Sequence, residues 1–454
     1  MEELVLIQRH FFNLQKTKSI DWRVAQLKKL RKLVVQYEQE MYAAIYKDFQ
    51  KSEHDTFLTE IQIIYQDIDE AILSLYTWAQ PESVRTNFVN LPAKSWVQYE
   101  PYGVCLVIGA WNYPYQLAFC PAIAAIAAGN TVVMKPSELP HHAAVLMEEM
   151  VNKHFEAEFF HVVNGDVEVA QQLLATRFDK IFFTGSVPVG RLVYQAAAKY
   201  LTPVTLELGG KSPVVVSAQC HLRVAAKRVV WGKFLNAGQT CIAPDYILVE
   251  QSIYQSFLDA MVAQIKANDY RIENQNYVQI IHDRHFNRLA ELIQSSNVLY
   301  GGDVDASKRF ISPTLIQAEN WKDTIMQEEI FGPLLPIIPY RDYTEALDFI
   351  RQGEKPLSAY LFSNSRKEQT QFTDTISFGG GAINDVVMHI TNPNLPFGGV
   401  GESGIGNYHG IHGFKTFSHA KSIFKKPNYF EPNLKFPPYS RRKLNWVKRI
   451  LKWF

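Results

Sequence analysis

The chain has 454 residues, 47% of them apolar and 20% charged, and a formal net charge of +1. Its length exceeds what one hydrophobic core usually organises, so two substantial domains are expected, and the composition excludes a disordered or fibrous chain. A net charge this close to zero excludes the global field that nucleic acid or a strongly acidic partner would need.

The first eighty residues read as helical, with Leu, Val and Ala set among Lys, Arg and Glu at helical spacing over 23–48 and again over 59–78. The N-terminus has neither a continuous apolar core nor a small-residue cleavage site, so no secretory leader is expected. Over 83–102, Phe88, Val89 and Leu91 and then Trp96, Val97 and Tyr99 flank Asn90–Lys94, which predicts a projecting two-stranded hairpin.

From Pro101 to Met134 no residue is charged, long enough to cross a bilayer. Asn112, Pro114, Gln116, Pro121, Gly129 and Asn130 interrupt it, and lipid would leave the freed backbone groups unsatisfied. The stretch therefore reads as strand, turn, Ala-rich helix and strand in one core. Short apolar runs at 104–109, 131–135, 160–163 and 180–184 alternate with helical segments, the pattern of a parallel sheet covered on both faces. Ligands of such folds sit beyond the carboxyl ends of the strands, where this sequence places Trp111-Asn112, Lys135–Glu138, Asn164-Gly165 and Thr184–Ser186. A second α/β region follows, with strands expected at 213–216, 246–249, 334–339 and 357–362 and glycine-rich loops at 379–381 and 397–406.

The cysteines at Cys105, Cys120, Cys220 and Cys241 form no C-x-x-C pair and have no zinc-site spacing, so no metal is expected and a reducing, cytoplasmic setting is. Cys241 ends the small, turn-prone run Asn236–Cys241, which suits a thiol presented in a cleft as a nucleophile, although the residue alone better describes a buried core cysteine. Glu207, among apolar residues and followed by two glycines, suits a desolvated general base or a carboxylate at a strand end. Asn112 offers an amide N–H to a developing oxyanion, or serves a turn.

Six motifs taken together are more specific than any one residue. Trp111–Pro114, Lys135–Glu138, Phe183–Ser186, Glu207–Lys211, Gly238–Cys241 and Glu328–Pro333 stand in one order, and across 20–425 the chain resembles the aldehyde dehydrogenase superfamily. Asn384–His389, Pro396–Gly401 and Gly406–Gly410 resemble its class 3 branch, which includes fatty aldehyde dehydrogenases. The resemblance implies an α/β fold with a Rossmann-type nucleotide domain (1–82 and 103–208, with part of 390–425) and an α/β catalytic domain (209–389). It also implies a bridging hairpin for oligomerisation (83–102) and a C-terminal tail (426–454). By the same resemblance Cys241 attacks the aldehyde, Asn112 and the Cys241 N–H hold the oxyanion, and Glu207 activates water to hydrolyse a thioester. Lys135 and Glu138 would hold the adenosine ribose, Gly185, Ser186 and Gly190 the pyrophosphate turn, and Glu329 and Phe331 the nicotinamide ribose and ring. The usual G-x-G-x-x-G is absent from the turn at 185–190. NAD and NADP both remain open, since Glu138 would repel a 2′-phosphate and Lys135 would accept one.

The expected function is thus oxidation of an apolar aldehyde (medium- or long-chain aliphatic, aromatic or apocarotenoid-like) to its acid. Tyr113, Leu117 and Trp231 are the residues expected to make the substrate tunnel apolar. A CoA-acylating or phosphate-reducing semialdehyde dehydrogenase, a thiol esterase, and a binding protein on the same scaffold are the alternatives; the first is opposed by Glu207, the second by the nucleotide positions. Class 3 resemblance also implies a homodimer.

The last sixteen residues divide by chemistry. Leu444, Trp446, Val447, Ile450, Leu451, Trp453 and Phe454 fall on one half of a helical wheel, and Arg441, Arg442, Lys448, Arg449 and Lys452 on the other, with Lys443 breaking the split. Such a segment is too short to span a bilayer and is built for an interfacial helix among anionic headgroups, or for docking on protein.

Overall fold

The computed structural model describes residues 1–429 and 431–452. Two compact units are present: residues 1–79 with 100–419, and residues 80–99 with 420–454.

Within the larger unit, the apolar runs become two sheets. One has six strands in the order Gly404–Ile405, Val204–Glu207, Lys180–Thr184, Val104–Ile108, Thr131–Lys135, Phe160–Val162. Five are parallel, and Gly404–Ile405 closes the edge antiparallel to Glu207. Every residue of the three central strands is buried, which is why they read as unbroken apolar runs. Chain order reverses between Val104–Ile108 and Lys180–Thr184, and this switch point opens a crevice past Ile108 and Thr184.

The uncharged stretch 101–134 forms strand Val104–Ile108, helix Gln116–Ala128 and strand Thr131–Lys135; the helix is buried on nearly all sides, so its apolar residues follow no stripe. The N-terminal helical region breaks at Tyr37 into Ile20–Gln36, capped by Ser19, and Glu38–Phe49. Next come an α-helical turn, Glu53–Thr56, a widened π turn, Phe57–Ile61, and helix Gln62–Trp78.

The second sheet has seven strands in the order Asn297–Tyr300, Thr314–Gln317, Leu334–Tyr340, Tyr246–Glu250, Pro213–Val216, Ser358–Phe362, Gly380–Ile383. Only its first pair is antiparallel. Among the described residues no helix is long and apolar enough to cross a membrane.

The smaller unit corrects the expected hairpin. Its first strand is Glu82–Val84, paired antiparallel with Lys94–Pro101 in the register Glu82↔Val97, and Ser418–Lys425 adds a third strand. Phe88, Val89 and Leu91 lie in the connection, not in a strand. Pro92 has no N–H for a ladder, Phe88–Asn90 forms a 3₁₀ turn, and Asn90 Nδ2 donates to Asn87 Oδ1 at 2.6 Å. The tail forms helix Arg441–Leu451, whose first turn is capped by Ser440 Oγ accepting from Lys443 N–H. Trp453 and Phe454, which belong to the expected apolar face, lie outside the described residues.

Candidate active site

Strand ends and the turns after them supply most of the walls of one cavity of about 440 Å³ at the switch point. Asn112, Lys135, Glu138, Gly185, Ser186, Glu207, Cys241, Glu329 and Phe331 all line it. Gly190 does not; it is buried one turn into helix Val187–Ala198, where a Cβ would come within 2.6 Å of Leu208. The expected tunnel residues Tyr113, Leu117 and Trp231 are not on this cavity; the first two are buried and Trp231 is partly exposed.

Cys241 follows a segment wound in an unusual sense. Asn236, Ala237 and Gly238 all take left-handed backbone angles, φ 53°, 52° and 73°. Two of the three are not glycine, and Asn236 offsets that cost with its side chain. Its Nδ2 donates to Asn112 O at 2.9 Å and Gln239 O at 3.1 Å, while Gln239 Nε2 returns a bond to Asn236 O. Asn112 Nδ2 also donates to Gln239 O, at 3.1 Å. The turn after Ile108 and the turn before Cys241 are therefore one buried network. Beside it, Tyr113 Oη and Thr240 Oγ1 are 2.6 Å apart.

The electrostatics of the cavity are those of desolvation. Burial, and then the carboxylates of Glu329 and Glu207, push the Cys241 thiol up to about 12. Burial pushes Glu207 well above the usual carboxylate range, and neither of its oxygens has a hydrogen-bond partner among the described residues. Glu329 is pushed up to about 8, by burial first and then by Asp245.

The residues at the Gly185–Ser186 end of the cavity have the chemistry that a dinucleotide's phosphates require. Ser186 begins helix Val187–Ala198 without capping it by its own side chain, so amide donors at a helix N-terminus meet the cavity. A Cβ on Gly185 would come within 2.5 Å of the Phe183 ring, so the backbone there has no room for a side chain. Lys135 Nζ, at the end of its strand, donates to Pro136 O at 3.1 Å and pairs with Glu138 at 3.3 Å.

What single-residue reading missed is the support of the Glu328–Pro333 segment. Lys211 Nζ donates to Glu328 O at 2.9 Å and Ile325 O at 3.2 Å and pairs with Asp245, whose other oxygen accepts from Ile330 N–H at 3.0 Å. Arg288 donates to Ile330 O, and His285 Nε2 lies 2.7 Å from Phe331 O. Phe331 is thereby held at φ 52° with its ring edge-on to Trp111 at 5.2 Å. Lys211 stood in a recognised motif without a role. Asp245, His285 and Arg288 stood in none.

Comparison with known proteins identifies the family of the chain. Residues 8–423 match the family model described as "Aldehyde dehydrogenase family". The chain is 44% identical to 4,4'-diaponeurosporen-aldehyde dehydrogenase of Staphylococcus aureus, covering 100% of this chain and 99% of that one. It is 42% identical to aldehyde dehydrogenase family 3 member A2 of Macaca fascicularis, over 99% of this chain and 94% of that one. A solved structure described as the substrate-bound state of Staphylococcus aureus AldH superposes with a TM-score of 0.96 at 44% identity, covering 99% of both chains. The chain belongs to the aldehyde dehydrogenase family, in its class 3 branch, and is an oxidoreductase that converts an aldehyde to its carboxylic acid with NAD or NADP.

Proposed function

We propose that this chain oxidises a long apolar aldehyde through a thioester on Cys241. The observation that carries the reading is that Cys241, Asn112 and Glu207 meet the nucleotide-side residues in one cavity. Cys241 gives up its thiol proton to solvent, its Sγ attacks the aldehyde carbonyl carbon, and the oxygen that gains charge turns to Asn112 Nδ2 and the Cys241 N–H. When bound, the nicotinamide supplies the acceptor for the hydride. Glu329 and Phe331 hold the nicotinamide end, with Lys135, Glu138 and the 185–190 turn at the adenosine and pyrophosphate end. The acyl group remains on Cys241, and Glu207 takes a proton from the water that hydrolyses it.

The substrate class follows the name of the Staphylococcus aureus relative, a diaponeurosporen aldehyde. A steady-state panel of aldehydes graded by chain length, run with NAD and with NADP, tests it; best turnover on short polar aldehydes would exclude it. For the chemistry, Cys241→Ala is expected to lose dehydrogenase and esterase activity with nucleotide affinity intact, because only the covalent step is removed. NADH formation by the folded variant would exclude the thioester.

Two further readings concern the smaller unit. The exposed apolar side chains Phe88, Val89 and Leu91 support a homodimer contact through this unit, and light scattering at micromolar concentration is expected to give twice the chain mass; a monomer would exclude it. Helix Arg441–Leu451 has no buried residue, and its basic and Trp-bearing faces support attachment to an anionic membrane surface.

A further inference from the structure

Lys51 and Glu60 are 1% and 0% exposed, with Nζ 3.2 Å from Oε1. Two charges are rarely removed from water this completely, because the loss of hydration offsets most of their attraction. Neither residue lines the cavity, so the thioester chemistry does not use them directly. What they touch is the segment that carries Asn112.

Glu60 lies in the π turn Phe57–Ile61, a widened turn of the kind that redirects side chains within a helix. Its second oxygen, Oε2, accepts from Tyr115 N–H at 2.8 Å. Tyr115 precedes helix Gln116–Ala128 and provides no side-chain cap of its own, so Glu60 performs that capping from another element. Lys51 Nζ lies 4.5 Å from the centre of the Tyr113 ring, and the Tyr113 hydroxyl meets Thr240, the residue before Cys241. Tyr115 Oη is fixed as well, donating to Met41 O at 3.1 Å. Asn112 thus sits between its own bonds to the Cys241 segment and two neighbours restrained by the buried pair.

We propose that Lys51 and Glu60 are positioning residues for aldehyde oxidation: a buried ion pair that clamps Tyr113 and Tyr115 so that the Asn112 amide faces the oxygen of the carbonyl attacked by Cys241. The proposal rests on the roles given to Asn112 and Cys241 above. A positioning error of about 1 Å at a reacting centre costs on the order of 10²-fold in rate, which sets the scale of the effect.

The test uses the full chain with NAD and a saturating aldehyde, and reads the rate constant of the first-turnover NADH burst beside the nucleotide Kd and the Tm. Glu60→Gln keeps an acceptor for Tyr115 N–H and removes the charge opposite Lys51. Lys51→Met with Glu60→Gln removes both charges together, which spares the fold an unpaired buried ion. Both are expected to slow the burst by about 10- to 100-fold with the nucleotide Kd within about twofold. Added to Asn112→Ala, Glu60→Gln is expected to slow the burst by less than about threefold more, because both act on one group. A folded double variant with a wild-type burst, while Asn112→Ala alone is slow, overturns the clamp. A full, multiplicative loss on top of Asn112→Ala does so too. A wild-type burst in Asn112→Ala alone instead overturns the oxyanion assignment on which the clamp rests.

Discussion

Asp245 divides its carboxylate between two tasks: one oxygen pairs with Lys211, and the other accepts from the backbone N–H of Ile330 at 3.0 Å. Lys211 in turn holds the carbonyls of Ile325 and Glu328. Glu329 and Phe331 are thus presented by a loop whose backbone is bound on both sides of each residue, although neither side chain belongs to the support. Both ions are nearly buried, so removing one leaves the other without its counter-charge.

Asp245→Ala is therefore expected to act on the nucleotide before it acts on the aldehyde. Freed from Ile330, the loop loses the fixed placement of Glu329 and Phe331, and misplacement on the ångström scale costs about 10²-fold in the hydride step. The expected result is a raised KM for nucleotide and a slowed burst, with alkylation of Cys241 by iodoacetamide at the wild-type rate. Unchanged nucleotide KM and burst in a folded variant would show that Asp245 supports only the sheet.

Glu207→Gln separates the two halves of the reaction. The burst is expected to survive, while turnover falls by roughly 10²–10⁴-fold, since hydrolysis of the acyl group loses its base. Loss of the burst with intact turnover would reverse the assignment. The same variant tests the burial of the carboxyl. Folding raises the pKa of Glu207, so the folded chain binds its proton more tightly than the unfolded chain does. The stability linked to that proton is complete below the unfolded carboxyl pKa of about 4.3 and is lost as pH rises towards the folded value. A glutamine has no proton to lose. The Tm of Glu207→Gln relative to the native chain should accordingly climb between pH 4 and pH 8, and a constant difference would mean that Glu207 is not desolvated in solution.

The parallel strands were legible because burial on both faces writes them as unbroken apolar runs: Thr131–Lys135, Lys180–Thr184 and Pro213–Val216 fall on the runs that announced them. The residues past their carboxyl ends were legible for the same reason, since polar groups such as Asn112 and Glu138 interrupt otherwise apolar sequence there. The support beneath them was not. Lys211 and Asp245 are separated by 34 residues, and Lys211 meets carbonyls 114 and 117 residues away, so no local pattern relates them. Asn236 and Ala237 gave no warning of a left-handed path, because beside the local bonds to Gln239 it is held by a bond to Asn112, 124 residues away. The smaller sheet was misread at its first strand for a related reason. Phe88, Val89 and Leu91 have the composition of a strand, but Pro92 and the Asn87–Asn90 bond turn the backbone there, and the added strand Ser418–Lys425 is too polar and exposed to signal itself.

The tail offers a prediction that separates chemistry from location. Along helix Arg441–Leu451, Leu444, Trp446 and Leu451 are 50%, 51% and 54% exposed, and no residue of the helix is buried. Arg441, Arg442, Lys448 and Arg449 occupy the opposite half of the wheel, so the segment places apolar and cationic faces side by side without an acidic residue between them. At 11 residues it would rise about 16 Å as a helix, roughly half of a hydrocarbon core, so it can lie in an interface but not cross one. Headgroup attraction of about 1 kcal/mol per basic residue, together with partial burial of the Trp and Leu side chains, is enough for reversible attachment. An aldehyde with a long apolar chain dissolves in lipid, and an enzyme held at that surface meets it there. Sedimentation with vesicles containing phosphatidylserine is expected to carry the full chain down, less so in 0.5 M salt, because screening weakens the basic face first. A chain ending at Pro438 is expected to stay in the supernatant while oxidising a water-soluble aldehyde at the native rate, since the cavity lies wholly within residues 108–331. Equal sedimentation of the shortened chain, or none of the intact one, would leave the helix as a protein-docking element.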